Sequence, residues 1–231
     1  AAAVKLLAAA ALALSLTASS ASTPPKLAGG PVFPASNAWD ERVDKLPVAK
    51  GSATLIRSIG IDTGVHPDFG SGLYDGSRIG IPYVVVHGRS TPKSRVSFEY
   101  ADESDQGPYP IPANVPIEGA PAHATEGDRH ALIVDRDTCT LYELYALQRA
   151  SSGWSAGSGA IFDLRSNKLR PAGWTSADAA GLPILPGLAR WDGDASTGAI
   201  RHALRFTAER TRSAYVYPAR HDASSSSDPA L

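Results

Sequence analysis

The sequence predicts a mainly β fold, an antiparallel β-sandwich or jelly-roll-like pair of sheets with one or two short helices. Three observations lead to this prediction. Short β-branched or aromatic runs with a period of two recur along the chain and are bounded by glycine, proline and serine. The 21 glycines and 18 prolines make many turns and argue against a helical bundle. Helical crossovers, which a parallel α/β sheet uses between its strands, are too few.

The first residues have the order of charge and hydropathy that is typical of a secretory signal. Lys5 precedes an apolar run over 6–16, and small residues follow, with Ser19 and Ala21 placed for cleavage after Ala21. The run is too short to cross a bilayer as a helix, which takes about 20 apolar residues. We therefore predict a secreted or periplasmic protein. Its signal peptide spans 1–21, a linker 22–31, a single β-rich domain 32–221, and a polar tail or truncated loop 222–231.

Composition and charge exclude several classes of partner and cofactor. The formal net charge of -1 leaves no electrostatic footprint for nucleic acid or for an anionic membrane. The lone cysteine, Cys139, cannot form an internal disulfide, and a structural zinc site needs more ligands than it offers. No pair of histidines has metal-ligand spacing, so we predict no bound metal and no cofactor. We expect a monomer whose partner is an extracellular polysaccharide, with no membrane contact once the signal is removed.

One helix and two strands are predicted in the first half of the domain. Over 52–60 a serine can cap a helix, three apolar residues share one face, and a glycine sits at the C-cap position. The period then changes to two over 81–88 and 93–101, which are short and rich in β-branched or aromatic residues. An acidic turn and a proline-rich extended segment follow over 102–119.

Further strands are predicted in the second half of the domain. They lie over 130–135, 139–147, 159–164, 199–207 and 213–218. The first two runs and the last two runs are each joined by a short polar turn, so each pair is predicted to form a hairpin. The segment 170–194, before the last hairpin, contains one candidate short helix within a proline-punctuated loop.

The letters Arg-His-Ala-Leu open two of these predicted strands, at 129–132 and 201–204. Because side chains alternate across a strand, His130 and His202 each lie on the apolar face of their strand. Such a histidine is either a neutral, hydrogen-bonded core residue or part of the floor of a cleft. In a cleft it can move protons near its ordinary pKa of about 6.5. If both strands belong to one sheet, both imidazoles project to the same side.

Glu143 is the candidate acid partner of these histidines. It shares a strand face with Leu141 and Tyr145, where desolvation raises the pKa of a carboxyl group and suits a general acid. Glycoside hydrolysis needs a second carboxylate across a cleft, and Glu99 or Asp163 is of the required type. The sequence therefore allows a glycoside hydrolase that uses Glu143.

Eliminative cleavage of a uronate polymer is the other chemistry that fits. It needs a base such as histidine or tyrosine and a cation that neutralises the substrate carboxylate. The predicted function is therefore that of a secreted polysaccharide hydrolase or lyase. The predicted catalytic residues are His130, His202 and Glu143, and the predicted substrate-binding residues are Arg205, Tyr217 and Trp174.

Three alternative functions stay open. A non-catalytic module would bind glycan with Trp154, Trp174, Trp191 and tyrosines as platforms. A serine esterase would use Ser155 of "GWSAG", although a strand pattern and not a helix follows that motif. A structural envelope protein would have no small-molecule site.

Several long blocks of the sequence also point to a family. "FEYADESDQGPYPIP", "DRHALIVDRDTCTLYELY" and "RPAGWTSADAAGLPILPGLARW" resemble a family of exported bacterial proteins of unassigned function. The similarity covers almost all of the predicted mature chain. It implies export, but it implies no catalytic residue because the family has no assigned activity. Members of the family continue beyond "ASSSSDPAL" with further strands, so the resemblance implies a truncated chain that lacks an edge of its sheet.

Overall fold

The computed structural model describes residue 27 and residues 32–64, 72–123 and 125–228. The predicted signal peptide and most of the predicted linker lie outside the described residues. The helix α1 is Ser52–Ile59, and single helical turns lie at Ala101–Glu103, Leu185–Gly187 and Trp191–Ala195. The strands are β1 (Leu73–Tyr74), β2 (Ser77–Arg78), β3 (Tyr83–Val86), β4 (Val96–Phe98), β5 (Ala131–Asp135), β6 (Thr140–Tyr145), β7 (Gln148–Ala150), β8 (Gly153–Ala156) and β9 (Ser158–Asp163).

A four-stranded sheet with the order β3-β5-β6-β9 forms the centre of the structure. β5 and β6 form the predicted hairpin, with Asp135 opposite Thr140, and β9 runs antiparallel to β6. β3 lies at the edge, parallel to β5. Every residue of β5 is buried, because both faces of this sheet are covered.

A three-stranded sheet, β4-β8-β7, covers one face of the central sheet. Val96 and Ala156 of this second sheet pack with Ile133 and Leu144 of the central sheet, and the fully buried Tyr109 joins them. Two sheets that enclose one apolar core form a sandwich.

Irregular chain covers the opposite face of the central sheet. Leu132, Leu141 and Phe162 project to this side and pack against Phe33 and Ile184, which lie outside the strands. Strand alternation explains the division, because neighbouring residues of β5 contribute to the two different cores. The loop around residue 184 is therefore part of the core as well as a connection.

The predicted mainly β fold with few short helices is confirmed. α1 also forms as predicted, and its C-cap is the predicted Gly60, whose φ of 116° suits glycine. The predicted serine cap is wrong, since Gly51 occupies the N-cap position and no side chain caps the helix. The two larger sheets are mixed, because β3 pairs parallel to β5 and β4 pairs parallel to β8. The crossovers run through other strands and irregular loops, so the scarcity of helices did not exclude parallel pairs.

The predicted hairpin of strands over 199–207 and 213–218 is wrong. Both runs are irregular in the structure, and Phe206 and Val216 are 75% and 79% exposed. Alternation favours a strand only where a neighbouring strand accepts and donates the backbone hydrogen bonds. In this segment the backbone N–H of Ala203 instead donates to the carbonyl oxygen of Trp39.

Candidate functional site

His130, directly before β5, is a buried histidine with both ring nitrogens occupied. Nδ1 lies 2.6 Å from Oε2 of Glu118, and Nε2 lies 3.0 Å from the carbonyl oxygen of Ala177. Both partners are acceptors, so both nitrogens donate and the ring is an imidazolium. Burial lowers the pKa of His130, but the hydrogen bond and the charge of Glu118 outweigh burial and raise the pKa above its ordinary value.

Glu118 completes a half-buried ion pair with this histidine. Burial acts to raise the pKa of Glu118, and the hydrogen bond from His130 outweighs it, so that the pKa is lowered overall. The ring of Tyr145 lies against the imidazolium, with 5.8 Å between the ring centroids. His130 therefore has no free nitrogen with which to take a proton from a substrate.

Glu143 lies in the middle of β6 and is fully buried. Its carboxylate accepts hydrogen bonds from the backbone N–H of Ile184, at 2.8 Å to Oε2, and of Leu185, at 2.9 Å to Oε1. Burial raises the pKa of Glu143 to about 7, although these backbone bonds and the charge of Arg205 act to lower it. The sequence correctly indicated desolvation, but the carboxylate holds a loop and faces no open cleft.

His202 has a different set of partners from His130. Its Nε2 lies 3.1 Å from Oδ2 of Asp194, and its Nδ1 lies 2.8 Å from the carbonyl oxygen of Ala203. Asp194 Oδ2 also accepts the backbone N–H of Arg190 at 2.9 Å. Because residue 202 lies on irregular chain, the two histidines do not project from one sheet. Among the described contacts, the three predicted catalytic side chains are not hydrogen bonded to one another.

The contacts of His130 and Glu143 fasten one stretch of chain, 176–185, onto the central sheet; we refer to it as the clamped loop. Ser158 of β9 adds a hydrogen bond of 2.6 Å from its hydroxyl to the carbonyl oxygen of Ser176. Arg205 adds an ion pair with Asp178 of the loop. Three of the predicted site residues, His130, Glu143 and Arg205, therefore position a loop.

The other two predicted substrate-binding residues differ in exposure. Trp174 is half-buried, and the guanidinium of Arg170 lies 5.4 Å from its ring centroid. Arg170 is itself anchored by an ion pair with Asp105. Tyr217 is 72% exposed and therefore presents its ring to a ligand. Of the three predicted substrate-binding residues, Tyr217 is therefore the one with a largely exposed side chain.

Tyr217 lines a pocket of about 80 Å³, which we call the aromatic pocket. Residues of 33–39, 166–170 and 181–183 and the buried Phe162 form most of its other walls, and Trp39 contributes an aromatic side chain that is only partly buried. Asn37 and Asn167 connect two of these walls, since Nδ2 of Asn37 donates to Oδ1 of Asn167 at 3.0 Å. Part of the clamped loop thus forms one wall of the pocket.

The carboxylates proposed as partners of Glu143 lie elsewhere. Asp163 pairs with Arg165 at 2.9 Å, and its register opposite Thr140 places it on the other face of the sheet from Glu143. Glu99 follows β4 and is exposed. A pair of carboxylates across one cleft, as glycoside hydrolysis requires, is not formed by these residues.

Ser155 lies within β8, opposite Ser97 of β4 and Gln148 of β7. A serine nucleophile of the esterase pattern sits on a sharp turn between a strand and a helix. Here Ser155 is in a regular strand, and another strand, β9, follows. Of the remaining predicted platforms, Trp154 packs under Arg149, whereas Trp191 is 80% exposed.

Sequence comparison adds no family to these observations. Comparisons with family models, with curated proteins and with solved structures each give no match. Within residues 32–64, 72–123 and 125–228, no group of three His, Cys, Asp or Glu side chains is arranged to hold a metal ion. In the same part of the chain, no helix has the length and apolar character to cross a membrane. A functional assignment therefore depends on the contacts and the pocket described above.

The unfolding free energy is expected to decrease as the pH rises from about 5 to about 8. His130 and Glu143 both have a folded-state pKa above the ordinary value, so the folded state binds more protons than the unfolded chain. The contribution of Glu143 is complete below its ordinary pKa of 4.5 and is lost by about 7. Its size is about 3 kcal/mol, since one pKa unit corresponds to about 1.4 kcal/mol. Denaturant unfolding across this pH range measures the effect.

The control for this pH profile is Glu143→Gln, which cannot titrate at that position. The unfolding free energy of this variant should depend less on pH below about pH 7. The decrease that His130 causes above its ordinary pKa should remain. Glu118 has a lowered pKa, so its contribution is lost only as the pH falls below its ordinary range. A wild-type protein that becomes more stable between pH 5 and 8 would contradict the assignment.

Proposed function

We propose that this chain is an exported carbohydrate-binding protein whose ligand occupies the aromatic pocket. The observation that carries the proposal is the combination of Trp39 and Tyr217 with the hydrogen-bonded amides of Asn37 and Asn167 in one concave site. Aromatic faces pack against the apolar faces of sugar rings, and amides bond to hydroxyl groups. This is the non-catalytic alternative of the sequence prediction, with Tyr217 kept and Trp39 added.

Two facts favour binding over hydrolysis at this site. Among the described residues that line the aromatic pocket there is no aspartate or glutamate, so the two carboxylates of a hydrolase have no counterpart there. The polar atoms of His130 and Glu143 are used by the clamped loop. In a binding protein these two residues hold one wall of the pocket in place.

Eliminative cleavage is the second candidate, because Tyr217 and Lys168 line the same pocket. In such a reaction the tyrosine removes the proton on the carbon next to the uronate carboxylate, and a C=C bond forms to the next ring carbon as its C–O bond to the glycosidic oxygen breaks. The tyrosine then returns the proton to the leaving oxygen. The lysine would neutralise the carboxylate. Release of unsaturated sugars, followed by ultraviolet absorbance, distinguishes a lyase from a binding protein in the same experiment.

Tyr217→Ala is expected to weaken the binding of a responsive glycan by about tenfold, the equivalent of about 1.4 kcal/mol for one lost aromatic contact. Binding is measured by calorimetry against a panel of neutral and acidic polysaccharides. The matched control is Tyr74→Ala, since Tyr74 of β1 is 76% exposed and does not line the pocket. Equal affinity of the two variants would place the ligand elsewhere.

We also propose that the chain is exported and that it belongs to the family of exported proteins that it resembles. The support is the sequence blocks and the signal-like start over 1–21. N-terminal sequencing of the protein recovered outside the cytoplasm tests this, and a first residue of Ser22 is the expected result. A chain recovered with its first residues intact would remove the support for export.

A further inference from the structure

We propose that the aromatic pocket selects carboxylated sugars and that Lys168 binds the ligand carboxylate. The inference rests on the proposed function and adds the class of ligand. Lys168 and Arg170 are the charged residues among the described pocket lining, and both are cationic. A pocket with this lining attracts an anion and stabilises a neutral ligand less.

The two cations play different parts. Arg170 is buried, pairs with Asp105, and donates to the carbonyl oxygens of Thr175 and Glu103 at 2.6 and 2.8 Å. Its donors are therefore engaged by the protein. Lys168 is exposed, and among the described residues its ammonium group forms no ion pair. Lys168 is thus the cation of the pocket that can contact a ligand.

Acidic side chains on three of the surrounding elements are already paired. Asp163 of β9 is held by Arg165, and Asp178 of the clamped loop is held by Arg205. Glu103 accepts the backbone N–H of Thr175 at 3.0 Å and lies 3.6 Å from Nε2 of His221. These three acids are directed to partners of their own and not to Lys168.

The turn that carries Lys168 is ordered before a ligand arrives. The hydroxyl of Ser166 accepts the backbone N–H of Lys168 at 3.1 Å. Nδ2 of Asn167 donates to the hydroxyl of Ser36 at 2.9 Å, and its Oδ1 accepts from Asn37. Binding therefore orders the lysine side chain and little backbone, which lowers the entropic cost.

The geometry suggests how a uronate unit would lie. Its ring would contact Tyr217 or Trp39. Its hydroxyl groups would accept the second N–H of Asn37 Nδ2 and of Asn167 Nδ2, since the first N–H of each is bonded within the protein. Lys168 directly follows Asn167 on the same wall of the pocket, and its ammonium group would bind the carboxylate of the ring. An acidic sugar would bind more tightly than its neutral counterpart because it forms one additional charge-assisted hydrogen bond.

The test compares α-1,4-linked oligogalacturonate with α-1,4-linked galacto-oligosaccharide of the same length, which differ in the carboxylate. Wild-type protein should bind the acidic oligosaccharide about tenfold more tightly, and added salt should reduce the difference. Lys168→Gln should abolish the difference, and Lys168→Arg should retain it. The control is Lys45→Gln, an exposed lysine outside the pocket lining.

The outcomes separate the two proposals. Equal or tighter binding of the neutral oligosaccharide overturns the inference and leaves the proposed function standing. Preference for the acidic oligosaccharide that survives in Lys168→Gln also overturns it, since another cation would then be responsible. Failure of both oligosaccharides and of the whole polysaccharide panel to bind overturns both proposals.

Discussion

Gly88→Ala is expected to destabilise the protein by about 3 kcal/mol or more, because the new methyl group overlaps a fixed side chain. A Cβ atom at residue 88 would lie 1.8 Å from Oδ2 and 2.2 Å from Cγ of Asp135. Gly88 itself donates its backbone N–H to Oδ1 of Asp135 at 3.0 Å. Glycine is required at this position because residue 88 lies very close to the side chain of Asp135.

Asp135 cannot move aside to relieve this overlap. It is fully buried at the end of β5 and also accepts the backbone N–H of Asp137 at 2.9 Å and the hydroxyl of Thr138 at 2.8 Å. These bonds form the turn between β5 and β6. Displacing the carboxylate would leave the buried backbone N–H of Gly88 without its partner, which adds to the cost of the overlap.

Thermal and denaturant unfolding measure the effect of Gly88→Ala, and Gly51→Ala is the matched control. Gly51 has an ordinary φ of -86°, and a Cβ there meets nothing within 4 Å. The control should therefore change the stability by well under about 1 kcal/mol. Similar stabilities for the two variants would refute the close contact between Gly88 and Asp135.

Glu143→Ala is expected to cost about 3–5 kcal/mol of unfolding free energy. The substitution removes the acceptor for the backbone N–H groups of Ile184 and Leu185, both of which are fully buried, and leaves a cavity beneath the clamped loop. Affinity at the aromatic pocket should fall as well, because Leu182 and Pro183 belong to the same loop and line the pocket.

Denaturant unfolding of Glu143→Ala is compared with Glu143→Gln and with Glu99→Ala. Glutamine keeps one carbonyl oxygen as an acceptor and most of the volume, so it should cost less than alanine. Glu99 is exposed, and its replacement should have little effect. A Glu143→Ala variant as stable as Glu99→Ala would mean that the carboxylate does not hold the loop.

Local pattern predicted the central hairpin well. Alternation and a polar turn between two apolar runs are sufficient to define β5 and β6, and they placed His130 on the face that proves to be buried with Leu132 and Val134. The same parity argument was wrong for His202. There the strand itself does not form, because no neighbouring strand supplies its hydrogen bonds.

The aromatic pocket could not be predicted in the same way. Asn37 and Asn167 are far apart in the chain, and neither stands in a motif that indicates a binding site. Glu118, the partner of His130, lies in a proline-rich segment that gives no sign of an ion pair. Such contacts depend on how irregular segments pack onto the sheets, for which periodicity carries no information.

The parallel pairs β3–β5 and β4–β8 also affect the order in which the chain can fold during its synthesis. β3 and β4 leave the ribosome before their partners β5 and β8, and neither can pair until a strand much further along the chain is made. β5, β6 and β9 follow one another closely and can pair as they emerge. Until β5 and β8 are made, the nascent chain carries two apolar strands with unpaired edges, which other chains can contact. The rate of elongation therefore determines how long these edges stay exposed.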